Sequence, residues 1–98
     1  MITLDPESHE MAALSSLAGD LSAKHVLEVG CGDGRLTRRY AGQAARVLAI
    51  DPDAAAIVDA RAQLDAGLEP HVEFLATGIA DLDAGAGPFD LVIMSWSL

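Results

Sequence analysis

Residues 25–36, HVLEVGCGDGRL, constrain the fold of this chain more than any other stretch. A short apolar run is followed by glycine at positions 30, 32 and 34, and then by a run that favours a helix. Glycine permits positive φ and a close approach of a ligand to the backbone, because it has no Cβ. The stretch therefore predicts a strand, a tight turn and a helix whose N-terminus is available to an anionic or polar ligand.

The rest of the chain alternates short apolar runs with segments of helix length. Strands are predicted at 25–29, 46–50, 71–75 and 89–95, and helices at 5–19, 34–44 and 54–66, with a loop containing one helical turn at 76–88. We expect Asp53 to cap the helix at 54–66 and Gly67 to stop it. The alternation predicts an α/β fold, a Rossmann-like doubly wound parallel sheet, with its ligand site beyond the carboxyl ends of the strands.

The spacing of the glycines differs from that of a dinucleotide site. In the pattern G-x-G-x-x-G, the third glycine counted from Gly30 would fall at position 35, which is Arg35, whereas here it is Gly34. Asp51 follows the second predicted strand, where a carboxylate can accept hydrogen bonds from both hydroxyls of a ribose. The turn and Asp51 together predict a site for a nucleoside that carries a small anionic group, the alternative being a strained turn without a ligand.

The net charge and the cysteine count of the chain indicate which classes of binding partner and which location to expect. The 98 residues carry a formal net charge of −9, which disfavours a surface for nucleic acid or anionic lipid. The basic cluster Arg35, Arg38 and Arg39 is expected to be a solvated helix face. Cys31 is the only cysteine, which excludes an internal disulfide and favours a cytoplasmic location. The apolar runs are too short for a membrane span, and the scattered histidines predict no metal site.

Three stretches carry a family resemblance. VLEVGCGDGRLTRRYA resembles the first motif of class I S-adenosylmethionine-dependent methyltransferases, and VLAIDPDAAAI resembles their second strand with its ribose-binding acid. FLATGIADLDAGAGPFDLVIMSWSL resembles their third strand, adenine-contact loop and fourth strand, and the spacings between the motifs agree. The resemblance runs from about Lys24 to the last residue. It implies S-adenosylmethionine as cofactor and the first four strands, in order 3-2-1-4, of a seven-stranded sheet.

The resemblance also implies how the first motif would hold the methionyl part of the cofactor. The backbone of Gly30, Cys31 and Gly32 would approach this part, and Gly34 would belong to the same cofactor-binding turn. Glu28 would anchor the turn and face the methionine amino group, directly or through water. Cys31 is expected to be a small packed residue, since methyl transfer from a sulfonium requires no covalent nucleophile. No catalytic residue is assigned.

The nucleoside part would be held by residues after the later strands. Asp51 would bind the ribose with Pro52 beside the adenine face, and Ile79 and Ala80 would flank the adenine edge. Ser95 would lie near the sulfur that bears the methyl group.

Two positions depart from the family pattern. Gly78 stands where many relatives have an acidic residue, and whether Asp81 reaches the adenine amino group is left open. The end of the fourth strand, SWSL, lacks the Asp or Asn with Pro-Pro and an aromatic that is typical of relatives acting on exocyclic or amide nitrogens. This argues against such acceptors and leaves small-molecule methylation open.

These expectations lead to one hypothesis for the domain organisation and function of the chain, and to one alternative. We expect a single domain over 1–98, with an N-terminal helix in 1–19 and a cofactor-binding core at 24–98, that is incomplete at its C-terminal end. Its function would be methyl transfer to a small molecule, without nucleic-acid or membrane partners. The alternative is a non-catalytic cofactor-binding module completed by another chain. The fourth strand, without a successor, is expected to expose its outer edge and to promote self-association.

Overall fold

The computed structural model describes residues 2–4 and 21–95, which contain a five-stranded parallel sheet. The strands are β1 (Ile2–Leu4), β2 (His25–Val29), β3 (Arg46–Ile50), β4 (Val72–Leu75) and β5 (Leu91–Ser95), in the order β1-β5-β2-β3-β4. The helices are α1 (Arg35–Tyr40) and α2 (Ala54–Gln63), and short 3-10 helices lie at Ala41–Gln43, Ala66–His71, Ile79–Asp81 and Ala84–Ala86. The predicted α/β class and the order 3-2-1-4 of the four predicted strands are confirmed.

The helices are shorter than their patterns indicated. α1 tightens into a 3-10 turn after Tyr40, and α2 ends at Gln63 because Leu64 adopts an extended conformation. Gly67 lies inside the next 3-10 helix and does not stop α2. The predicted cap is confirmed, since the Asp53 carboxylate accepts from the amides of Ala55 at 3.0 Å and Ala56 at 3.2 Å. The helix predicted over 5–19 lies outside the described residues. None of the described helices is long and apolar enough to cross a membrane.

The sheet is buried on two faces, and alternate residues of each strand point to opposite sides. One face packs against both helices, and the buried side chains that form this core include Val26, Val47, Phe74, Ile93, Leu36, Tyr40, Ile57 and Ala60. The other face carries Leu27, Leu48 and Ile50, which are covered by side chains of the loop before β5, among them Leu82 and Phe89. Burial on both faces explains why the strands are almost continuously apolar in sequence.

The outer edge of β5 is paired within the chain. Residues Ile2, Thr3 and Leu4 lie opposite Ile93, Met94 and Ser95 in parallel register. The expectation that this strand exposes its whole outer edge is therefore wrong, because β1 hydrogen-bonds along its carboxyl-terminal half. Periodicity did not reveal β1, since three residues are too few to establish a strand pattern.

Candidate functional site

The candidate site lies where the carboxyl ends of the parallel strands meet. The chain runs from β2 outward to β3 and β4, and then returns to place β5 on the opposite side of β2. The carboxyl ends of β2 and β5 thus flank the point at which the strand order reverses, which is where open α/β sheets bind ligands. The glycine turn follows β2 at this point, and Ser95 ends β5 beside it.

The glycine turn is wedged between the ends of the neighbouring strands. The amides of Gly30 and Cys31 both donate to the carbonyl of Ile50, at 2.8 and 3.1 Å, which ties the turn to β3. On the other side, a Cβ added at Gly30 would collide with the backbone carbonyl oxygen of Ser95. Gly30 also has a φ of +81°, so glycine is required here by both conformation and space.

Gly34 has a packing role in the structure. It lies just before α1 with a φ of +80°, and a Cβ there would be 3.0 Å from an atom of the Phe74 ring and 3.3 Å from the Cβ of Ala60. Its missing side chain lets the start of α1 pack closely against β4 and α2. A direct contact between Gly34 and the cofactor stays a prediction.

Glu28 is the most unusual residue of the site, because its carboxylate is fully buried in an apolar strand. Its Oε1 accepts two hydrogen bonds from α1, one from the Thr37 hydroxyl and one from the Tyr40 hydroxyl, each at 2.7 Å. Its Oε2 is buried and makes no hydrogen bond to any part of the chain that the structure describes. One oxygen of the carboxylate is thus saturated, and the other is left open.

Burial controls the protonation of the groups around Glu28. It raises the pKa of the Glu28 carboxyl, and the nearby hydroxyls of Thr37, Tyr40 and Ser95 lower this pKa in part. Burial, followed by the negative charges of Glu28 and Asp51, also raises the pKa of the Cys31 thiol. The thiol therefore stays protonated at neutral pH, which fits the prediction that Cys31 is a packed residue and not a nucleophile.

The Asp51 carboxylate connects the glycine turn after β2 with the turn that follows β3. Its Oδ2 accepts from the amide of Gly32 at 2.9 Å, and its Oδ1 accepts from the amide of Asp53 at 2.9 Å. Gly32 itself has a φ of +56°. The carboxylate therefore fixes the conformation of the glycine turn, and each oxygen still has a lone pair that can accept a further hydrogen bond.

The residues predicted to surround the adenine lie at the rim of the same edge. Pro52 directly follows Asp51 and is exposed, and Ile79 and Ala80 lie in the 3-10 turn after β4. Ile79 is 52% exposed, and it is one of two large apolar side chains that are exposed among the described residues. Asp81 is exposed in the same turn.

The two hydroxyl partners of Glu28 were not predicted from the sequence. A lone acid in an apolar strand was a signal that a buried partner is needed. Thr37 and Tyr40 lie three positions apart, so they share one face of α1. Leu36, Tyr40 and Ala41 also share one face of this helix by their spacing, and this spacing gives no indication that the Tyr40 hydroxyl is committed to a carboxylate.

The residues present fit a nucleoside that carries an amino-acid tail. The open Oε2 of Glu28 is a buried acceptor that suits an ammonium group, and Gly30 and Gly32 carry no side chain that could cover the turn. Asp51 offers further acceptor capacity next to them for ribose hydroxyls. Fold and site therefore define a Rossmann-like domain built for a nucleoside cofactor.

Comparison with known proteins identifies the family. A family model described as a methyltransferase domain matches residues 26–98. The chain belongs to the class I S-adenosylmethionine-dependent methyltransferases, whose cofactor is S-adenosylmethionine.

Individual relatives share the family and differ in what they act on. Over 76 residues the chain is 41% identical to ribosomal RNA small subunit methyltransferase A of Cereibacter sphaeroides, and 36% identical to ubiquinone biosynthesis O-methyltransferase of Acinetobacter baylyi. These alignments cover 76% of this chain but only 27% and 32% of the relatives. A structure from Listeria monocytogenes described as an S-adenosylmethionine-dependent methyltransferase superposes with a TM-score of 0.73 at 27% identity, covering 91% of this chain and 39% of that one.

Proposed function

We propose that this chain binds S-adenosylmethionine at the glycine turn and supplies the cofactor-binding half of a methyltransferase site. One observation carries the proposal: the glycine turn closes on the Asp51 carboxylate, and the strand that leads into this turn carries a buried carboxylate, Glu28, with an open oxygen. A plain strained turn would need neither group. The membership of the family supports the same conclusion.

Each part of the cofactor has a proposed partner on this chain. The backbone of Gly30, Cys31 and Gly32 cradles the methionyl part, and Oε2 of Glu28 accepts from its ammonium group. When bound, the cofactor would supply a methyl group on a sulfonium, from which a neutral thioether departs as a good leaving group. The protein's contribution is then to bind, to orient and to exclude water, so that the acceptor meets the methyl group in line. Ser95, the last residue of β5, is proposed to lie near the sulfur that bears this methyl group.

The adenosine part is proposed to lie over the rim. Asp51 accepts from the ribose hydroxyls with the lone pairs that the two turns leave unused. Ile79 gives the adenine an apolar contact that removes its own exposed surface from water. Pro52 and Ala80 flank the ring. This placement explains why a large apolar side chain is exposed in the turn after β4.

For the acceptor, a small molecule is the first candidate. The net charge of −9 and the absence of the Pro-Pro motif after Ser95 support it, and we place the reaction in the cytoplasm. A nucleic acid is the second candidate, because the relative at 41% identity acts, by its name, on ribosomal RNA. Methyl transfer from labelled S-adenosylmethionine to a panel of small hydroxyl and amine acceptors, compared with ribosomal RNA, distinguishes the two.

Calorimetric titration with S-adenosylhomocysteine tests the cofactor assignment. We expect saturable binding of S-adenosylhomocysteine and none of NAD, because the turn lacks the third glycine of a dinucleotide site. Binding of NAD in preference to S-adenosylhomocysteine would overturn the proposal. Binding of S-adenosylhomocysteine without transfer to any acceptor would favour the non-catalytic module instead of the enzyme.

A further inference from the structure

Two hydroxyls of α1 converge on a single carboxylate oxygen. Thr37 and Tyr40 both donate to Oε1 of Glu28 at 2.7 Å, and all three residues are 0% exposed. Two donors on one oxygen fix both the position of the carboxylate and the orientation of its plane. This arrangement is more specific than burial requires, since one donor on each oxygen would satisfy the group better.

As a consequence, the second oxygen of the Glu28 carboxylate is held in a fixed position without a hydrogen-bond donor from the part of the chain that the structure describes. Oε2 of Glu28 has no donor among the described residues, although it is buried. Buried acceptors without a donor are rare in folded proteins, and an unsatisfied one is a sign of function when its neighbours hold it in place. Here the neighbours hold it through the opposite oxygen.

We propose that Thr37 and Tyr40 are positioning residues for cofactor recognition, which hold Glu28 so that Oε2 is kept for the ammonium group of the methionyl part. The inference rests on the proposed function and adds to it two residues that do not touch the cofactor. They act through Glu28, and their hydroxyls, not their bulk, are what matters.

The groups around Glu28 affect its pKa, so the proposal can be tested by the pH dependence of binding. Among the residues that the structure describes, the groups that face Glu28 are the hydroxyls of Thr37, Tyr40 and Ser95, and the thiol of Cys31, which comes from the glycine turn. None of these groups is a cation. Burial raises the pKa of Glu28 and the three hydroxyls lower it, so the loss of one hydroxyl raises this pKa further. Affinity for an ammonium ligand is lost as pH falls through this pKa, so the loss occurs at higher pH in such a variant.

The experiment compares two ligands across pH on the whole chain. S-adenosylhomocysteine carries the ammonium group, and methylthioadenosine lacks the entire amino-acid tail. We expect Tyr40→Phe and Thr37→Val each to weaken binding of S-adenosylhomocysteine by about tenfold near pH 7. The acid limb of the affinity profile moves to higher pH in both. Thr37→Ser, which retains the hydroxyl, is the matched control and keeps affinity within about twofold of the original chain.

Methylthioadenosine separates positioning from folding. Its affinity is expected to stay unchanged in every variant and to be independent of pH on the acid side. Equal weakening of both ligands would overturn the proposal and leave the proposed function intact, because the hydroxyls would then only support the fold. Failure of the original chain to bind either ligand would overturn both. If Tyr40→Phe does not fold by circular dichroism, the Thr37→Val and Thr37→Ser pair decides alone.

Discussion

Replacing Asp51 by alanine tests two roles of this residue in one variant. The first is its hydrogen bonding to the glycine turn and to the turn at Asp53, and the second is its proposed contact with the ribose. The substitution removes two acceptors at once: the oxygen that binds the Gly32 amide and the oxygen that binds the Asp53 amide, each at 2.9 Å. The first bond holds a buried glycine at positive φ, and the second lies in an exposed turn. The two losses therefore differ in weight.

The magnitude follows from these environments. A hydrogen bond to a charged acceptor contributes about 1.5–3 kcal/mol, and an exposed one much less because water replaces the carboxylate. We expect Asp51→Ala to lower the free energy of unfolding of the unliganded chain by about 2 kcal/mol, which corresponds to roughly 8–16 °C in Tm for a domain of this size. The loss of a two-point ribose contact weakens binding of S-adenosylhomocysteine by about 2–4 kcal/mol, or about 30- to 1,000-fold.

Thermal unfolding without ligand and calorimetry with ligand measure the two effects separately. Asp59→Ala, which removes an exposed acid from α2, is the matched control and is expected to change neither. An unchanged affinity in Asp51→Ala refutes the ribose assignment. An unchanged Tm, together with unchanged hydrogen exchange of the Gly32 amide, refutes the role of Asp51 in holding the turn.

Four further outcomes are expected. Gly30→Ala lowers stability by more than about 2 kcal/mol in chemical denaturation, because its Cβ meets a strand carbonyl at positive φ. Gly32→Val abolishes calorimetric binding of S-adenosylhomocysteine, since its side chain occupies cofactor space; retained binding would misplace the methionyl part. Ile79→Asp weakens this binding about tenfold, whereas Val58→Asp, at the other exposed large apolar residue of the described chain, does not. The unliganded chain loses stability in urea as pH rises above about 4.5, because the folded pKa of Glu28 lies above its unfolded value and the folded state binds the proton more tightly; Glu28→Gln removes this slope.

The sheet could be predicted from the sequence because its strands lie in the interior. β2 and β3 match the predicted bounds, since apolar residues on both faces make such strands continuous in sequence. The Asp53 cap was equally readable, because capping depends on residues two and three positions away. Patterns within a few residues of each other were therefore enough to predict the strands and the helix cap around the site.

The contacts that give the site its chemistry are not local. The pairing of Glu28 with Tyr40 depends on how α1 lies on the sheet, and the need for glycine at position 34 depends on the ring of Phe74. Such distances are set by tertiary packing, for which a single sequence has no periodic signal. The pairing of β1 with β5 escaped prediction for the same reason.

The parallel pairing of β1 with β5 has a consequence for the order of folding. Ile2 and Ile93 are partners about ninety positions apart, so this ladder closes the longest loop in the described chain. Contacts of such high sequence separation form late, and a three-residue ladder is expected to open before the centre of the sheet does. Leu4 is the partner of Ser95, and the carbonyl of Ser95 lies against Gly30. When β1 separates from β5, Ser95 loses its strand partner, and Ser95 is the residue that contacts Gly30 of the glycine turn. We therefore expect a ligand bound at the glycine turn to slow hydrogen exchange of the amides in β1.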